Sequence, residues 1–206
     1  MTHLILVRHG QTEWNLNGKY QGQSDVPLTE RGRKQAQLLA EHFPVDHVDA
    51  IYCSTLCRAR VTAETIAARF GLTVKPDPAF RELSFGDWEG LTYQQIVEGW
   101  PEGMANFLHH PDILQIPHGE SFPQLQERGM KRLNEVLAEH KDQTIVVVCH
   151  GAILRSLLCA ILGIPLANVW RIRQFNTAVD MVDYDADNFP TVSVINSVSH
   201  LPVDMR

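Results

Sequence analysis

Two stretches decide the fold: "LILVRHG", Leu4 to Gly10, and "IVVVCHG", Ile145 to Gly151. Each is an apolar, β-branched run that stops at a histidine followed by a glycine. Neither run alternates polar with apolar residues, which is the pattern of strands buried on both faces of a mostly parallel sheet. In such sheets ligands collect at the carboxyl ends of the strands, and both His9 and His150 stand there. If the two strands are neighbours, two imidazoles face one pocket. Gly10 and Gly151 then let backbone come close to a ligand. A helix starting after His150 offers its first N–H groups to an anion.

The rest of the chain fits around that pair. "VDAIYC" (48–53) and "AVDMVD" (178–183) read as further strands, "TVSVI" (191–195) alternates as nearer an edge, and Val74 sits in a short, weak candidate. Helices fall between them. Thr29 caps "ERGRKQAQLLAEHF", and Ser54 is placed to cap a segment from Thr55 to Phe70 with Leu56, Ala59, Ala63, Ile66 and Phe70 on one stripe. Ser121 and Gln124 form a capping box opening a helix to about His140, and a helix from about Ala152 to Leu162 stops at Gly163 and Pro165. The region 83–120 is rich in glycine, proline and aromatics. The fold class is therefore α/β: a three-layer α/β/α sandwich around a mostly parallel central sheet, with an irregular lid insertion at about 83–120, in a single domain over 1–206.

Composition narrows the function. The 206 residues are 44% hydrophobic and 20% charged, and the net charge is −6. That balance argues against nucleic-acid binding, which needs a basic face. It also requires any anionic ligand to be held by a local basic cluster. No apolar run is long enough to cross a bilayer, and the N-terminus lacks a signal-peptide pattern. Cys53, Cys57, Cys149 and Cys159 show no C-x-x-C spacing. The expectation is a cytoplasmic protein with reduced thiols, no metal site, and no membrane or nucleic-acid partner. A homodimer is left open.

The company of the two histidines gives the chemistry. Arg8 precedes His9, and Arg58 lies one turn into the helix after "IYCS", directed towards the same sheet edge. "RHGQTEWN" adds Thr12 and Asn15 as small polar donors. Guanidinium groups and neutral donors around two imidazoles suit a tetrahedral dianion.

At these residues the sequence resembles the histidine phosphatases, the phosphoglycerate mutase-like superfamily. The resemblance rests on "LILVRHGQTEWN", "GQSDVPLTERGRKQA", "IYCSTLCRARVTAETI", "FRELSFGDWEGL", "HGESF" and "VVVCHGAILRSLL", and so covers most of the chain. It implies that His9 is the nucleophile and becomes phosphohistidine. It implies a phosphate pocket of Arg8, Arg58 and His150 assisted by Asn15, with Glu82 of "RELSFG" as proton donor. Thr12, Gln21 and Gly22 match positions near the substrate, beside Gly151. No cofactor is implied. The chemistry agrees: phosphoryl transfer needs charge stabilisation and positioning, and two arginines disfavour an imidazolium, keeping His9 neutral. Asp87 and Glu89 read as solvated loop carboxylates.

A rival lies in "CHGAILRS", where Cys149, five residues, Arg155 and Ser156 match the spacing of cysteine-dependent phosphatases. It leaves Arg8, His9, Arg58 and Glu82 without a task. A non-catalytic phosphate-binding module is disfavoured because His9, Glu82 and both arginines are intact. Between phosphatase and mutase, the lid decides. Mutases of the family hold a second anion with basic residues beyond "REL", whereas no Lys or Arg occurs here from Leu83 through Glu127. Phe85, Trp88, Tyr93, Trp100, Phe107, His109, His110, His118 and Phe122 stand there instead. Most of these aromatics pack the lid, and one or two touch substrate. The expectation is a metal-independent phosphatase of small phosphomonoesters with a neutral or apolar leaving group. "FGDWEGLTYQQI" followed by "HGES" resembles the α-ribazole phosphatase branch, pointing to α-ribazole 5′-phosphate and cobalamin biosynthesis. Phosphoserine phosphatases, broad-specificity phosphatases and phosphoglycerate mutases are the alternatives.

Overall fold

The structure is a computed structural model describing residues 1–206. Six strands form one sheet: β1 (Thr2–Arg8), β2 (Ala50–Cys53), β3 (Val74–Pro76), β4 (Thr144–Cys149), β5 (Val179–Tyr184) and β6 (Pro190–Ser197). Their order is β3-β2-β4-β1-β5-β6. The first four positions are parallel, and β5 and β6 close the sheet antiparallel. The two quoted runs are the central neighbours β1 and β4, in register from His3 opposite Thr144 to Arg8 opposite Cys149.

Both faces of these strands are buried, which explains why their sequences do not alternate. Leu4, Leu6, Ile145 and Val147 join one apolar cluster, while Ile5, Val7, Val146 and Val148 join another on the opposite face. Each such side chain contributes roughly 1.5–3 kcal/mol on burial. After the short α1 (Glu13–Leu16) come α2 (Glu30–Glu41) and α3 (Cys57–Phe70). Leu39 of α2 and Ala59, Ala63 and Ile66 of α3 cover the Ile5–Val7 face. The other face lies under the lid, α6 (Phe122–Glu139) and α7 (Gly151–Ile161). No helix is long and apolar enough to cross a membrane.

Two expectations need correction. The lid is not irregular throughout, for it contains α4 (Tyr93–Gly99) and α5 (Pro101–His109). Thr92 and Gln95 make a capping box for α4, and Pro101 opens α5. Both are ordinary helix-start signals, hidden among glycines and aromatics. Ser54 does not cap α3. The helix begins later, with Leu56 at the N-cap position and no side-chain bond from it. The Cys57 N–H instead donates to Asp25 Oδ1 at 2.7 Å, so the cap comes from a distant loop. Thr29 and Ser121 cap α2 and α6 as their sequences predict.

Candidate active site

Pairing of β1 with β4 carries the two histidines to one point. The His9 N–H donates to the Cys149 carbonyl at 3.0 Å, and the His9 and His150 ring centroids are 5.1 Å apart. A cavity of about 360 Å³ opens at this end of the sheet. Arg8, His9, Asn15, Gln21, Gly22, Arg58, Glu82 and Gly151 all line it. His150 is wholly buried beside them.

Hydrogen bonds settle both imidazole tautomers. His9 Nδ1 lies 2.6 Å from the Gly10 carbonyl oxygen. A carbonyl only accepts, so Nδ1 carries the proton and Nε2 keeps its lone pair. Arg58 Nε donates to His150 Nδ1 at 3.2 Å, so that ring carries its proton on Nε2. Burial, reinforced by the Arg58 and Arg8 charges, holds the pKa of His9 well below the usual histidine value. Burial and Arg58 do the same for His150, with further help from His9. Both rings are neutral near pH 7. His150 Nε2 and Arg8 Nε are buried without any hydrogen-bond partner. Two orphaned donors beside one another are costly unless an acceptor arrives.

The arginines are fixed by backbone carbonyls. Arg58, 1% exposed, donates through Nη1 to Ser24 and through Nη2 to Gly22, each at 2.7 Å. A guanidinium has five N–H donors, so two remain beyond those bonds and the one to His150. Arg8 Nη1 donates to the Gln174 carbonyl at 2.6 Å. Burial, then repulsion from Arg155, lowers its pKa to about 10, which leaves it charged at neutral pH.

Of the expected residues, His150 is buried beside the cavity without lining it, and Thr12 does not reach the cavity either. Thr12 is wholly buried, caps α1, and donates from Oγ1 to Gln21 Oε1 at 2.8 Å. Asn15 Oδ1 accepts from the Thr12 N–H and from Asn176 Nδ2. Both amide side chains that line the cavity therefore have their oxygens engaged and their NH₂ groups left over. Gly10 is also explained differently. A Cβ there would lie 2.4 Å from the Gly32 carbonyl oxygen, so the glycine admits α2 rather than a ligand.

The free helix start after His150 is likewise not empty. Glu82 accepts from the Ala152 N–H at 3.0 Å and the Ile153 N–H at 3.1 Å, and from its neighbour Leu83 at 2.9 Å. A carboxylate at a helix N-terminus satisfies unpaired donors and opposes the helix dipole. The predicted anion there is thus the protein's own, and it brings Glu82 to the cavity.

Glu89 is no solvated carboxylate. It accepts from the Gln23, Ser24 and Phe85 N–H groups and from the Ser24 hydroxyl. It thereby ties down the turn whose carbonyls hold Arg58. Gly22 in that turn has φ +52°, and a Cβ would fall 2.0 Å from Glu89 Oε1. Asp87 stays exposed and meets His118. Of the lid aromatics, Trp88 and Phe122 are core residues, whereas Phe85, Tyr93 and Phe107 line the cavity with Tyr20 and Trp170 from outside the lid.

Sequence reasoning passed over Lys19 and Arg155, which also line the cavity. Arg155 stands four residues after Gly151, on the same face of α7. In the sequence that spacing also fits the cysteine rival, which hides it. Cys149 itself is fully buried, and burial pushes its thiol far above the usual value. Burial disfavours a thiolate there, and Cys149 does not line the cavity.

Comparison with known proteins gives the family. Residues 4–197 match the model of the histidine phosphatase superfamily (branch 1). Phosphoserine phosphatase 1 of Hydrogenobacter thermophilus is 35% identical over 201 residues, covering 98% of this chain and 95% of that protein. A mutant Entamoeba histolytica phosphoserine phosphatase solved with phosphoserine superposes with a TM-score of 0.89 at 31% identity, over 98% of this chain and 100% of that one. A candidate alpha-ribazole-5'-P phosphatase from Escherichia coli gives a TM-score of 0.86 at 30% identity, over 95% and 96% of the two chains. With both sheet termini, both arginines and the acidic residue in one cavity, the chain belongs to the histidine phosphatase superfamily and is a phosphomonoester hydrolase.

Proposed function

We propose that the protein hydrolyses small phosphomonoesters without a metal ion, through a phosphohistidine formed on Nε2 of His9. The observation that carries this is the pair of buried, unpartnered donors, Arg8 Nε and His150 Nε2, next to a neutral imidazole whose free lone pair is on Nε2. The two remaining Arg58 hydrogens and the Asn15 and Gln21 amides complete a cradle for phosphate oxygens.

In the first step His9 Nε2 attacks phosphorus, the P–O bond to the leaving group breaks, and Glu82 gives its proton to the departing oxygen. In the second, the Glu82 carboxylate takes a proton from water, the water oxygen attacks phosphorus, and the P–N bond breaks. Ester and water become alcohol and phosphate, and Glu82 and His9 return to their starting states. Proton transfer of this kind contributes roughly 10²–10⁴-fold.

Aromatic walls beyond the cradle suit a small organic leaving group. Phosphoserine and α-ribazole 5′-phosphate are the two to assay first, the former on the curated relative and the Entamoeba complex, the latter on the Escherichia coli neighbour alone. A mutase reading is weakened by the absence of Lys or Arg across 83–127. Turnover of p-nitrophenyl phosphate in EDTA tests the proposal, with Glu82→Gln alongside. Activity should survive chelation. Glu82→Gln should slow phosphoserine far more than p-nitrophenyl phosphate, whose leaving group needs no proton. Equal losses would overturn the acid assignment, and chelator-sensitive turnover would overturn the metal-free chemistry.

A further inference from the structure

The cavity holds more positive charge than a phosphate can use. Its basic walls are Arg8, Lys19, Arg58 and Arg155, and Glu82 is the one acidic side chain among the lining residues. His9 and His150 are neutral, and burial pushes the Tyr20 phenol up to about 12, so it adds no anion. Four basic side chains face one acidic one, and Glu82 enters the first step holding its proton. A phosphomonoester dianion matches two of the four, Arg8 and Arg58, and Arg155 has the Asp180 carboxyl acting on it, which leaves one cation unmatched in a protein whose overall charge is −6.

The unmatched cation is Lys19. Arg8 and Arg58 belong to the phosphate cradle. Arg155 lies near Arg8, whose charge state it perturbs, and is spent on the Ile172 and Gly151 carbonyls and the Trp170 ring. Lys19 sits elsewhere. Its strand-like turn bridges to Thr92, at the start of α4, which places it on the lid side next to Tyr93. The residue is half-buried, its ammonium makes no hydrogen bond or ion pair within the protein, and it lies 5.7 Å from the centroid of the Trp14 ring. A point charge that lines the cavity with no acceptor of its own is free to meet an anion there. The lid was expected to accept only neutral leaving groups because it contains no Lys or Arg. The cation enters from outside the lid.

We propose that Lys19 is the specificity-determining residue of this site, binding a carboxylate on the leaving group, so that the preferred substrates are phosphomonoesters of small hydroxy or amino acids. The proposal rests on the phosphatase reading above. It separates a substrate that carries two anionic groups from one, such as a phosphorylated riboside, that carries the phosphate alone.

The test uses matched pairs that differ at one carboxylate: phosphoserine against phosphoethanolamine, and 3-phosphoglycerate against glycerol 3-phosphate. kcat/KM is measured for each with the wild-type protein, Lys19→Met and Lys19→Arg. Wild type should favour the carboxylate member of both pairs. Lys19→Met should shrink that ratio roughly two- to fivefold, through KM, as expected for loss of one solvent-accessible ion pair. Lys19→Arg should restore most of it. A wild type without the preference, or a Lys19→Met ratio equal to that of wild type, overturns the proposal. A wild type inert even on p-nitrophenyl phosphate instead overturns the phosphatase reading, so the two failures are distinguishable.

Discussion

Replacing Glu89 by glutamine tests how the site is held. Glu89 Oε1 accepts from the Gln23 and Phe85 N–H groups at 2.8 and 3.2 Å, and Oε2 from the Ser24 N–H and hydroxyl at 2.9 and 2.5 Å. An amide keeps one oxygen and turns the other into a donor. Placed at Oε2, the NH₂ meets the Ser24 N–H, and only the hydroxyl can rotate to accept. One backbone donor is then stranded, at about 1–3 kcal/mol. The two surviving bonds lose their charge assistance, about 1 kcal/mol each. Glu89 is half-exposed, so water recovers part of this, and a net loss of roughly 2–4 kcal/mol is expected from a typical total of about 5–15. The turn also carries the Gly22 and Ser24 carbonyls that aim Arg58. A shift of about 1 Å in a positioning group costs on the order of 10²-fold in rate. Urea denaturation should show an earlier midpoint, and kcat/KM for p-nitrophenyl phosphate should fall by roughly 10–100-fold under conditions where the variant is folded. Wild-type values for both would refute the chain of support from Glu89 through the turn to Arg58.

Stability should fall with acid in a definite window. His9 and His150 have pKa values well below 6.5 in the fold, so below that pH the unfolded chain binds protons that the folded chain refuses. From pH 8 to pH 5.5 the pair should remove about 3 kcal/mol. Buried Asp180, raised to about 6, acts in the opposite direction and returns about 1 kcal/mol. Urea midpoints across pH 5–8 check this, and a flat profile would contradict neutral buried imidazoles. Cys149→Ser should retain phosphatase activity, since the buried thiol is no nucleophile; loss of turnover in a folded variant, with wild-type circular dichroism, would revive the cysteine mechanism.

The central pair of strands was legible because their function and their burial leave the same mark. An unbroken apolar run ending in His-Gly occurs twice, and parallel pairing of the runs is what brings the histidines together. Arg58 was legible from its place one turn into α3. Less was visible where support comes from far along the chain. Nothing near Cys57 announces Asp25 as its cap, and nothing near Ala152 announces that Glu82 occupies the start of α7. Glu89 looked like any loop carboxylate because its four donors lie mostly in residues 23 and 24. Thr12 was misread for the opposite reason. Its motif is local, yet its hydroxyl is turned inward to fix Gln21, which alone of the two meets the cavity. Lys19 has neither a motif nor a partner, so only the cavity's shape shows what it faces.

The account's central claim is nucleophilic attack by one imidazole nitrogen. Rapid acid-free quenching of the protein during turnover of a ³²P-labelled phosphomonoester, followed by peptide mapping under alkaline conditions, tests it most directly. The account predicts an acid-labile, alkali-stable label on His9, attached at Nε2, and its disappearance in His9→Ala. A label on any other residue, or turnover by His9→Ala at the wild-type rate, would contradict it.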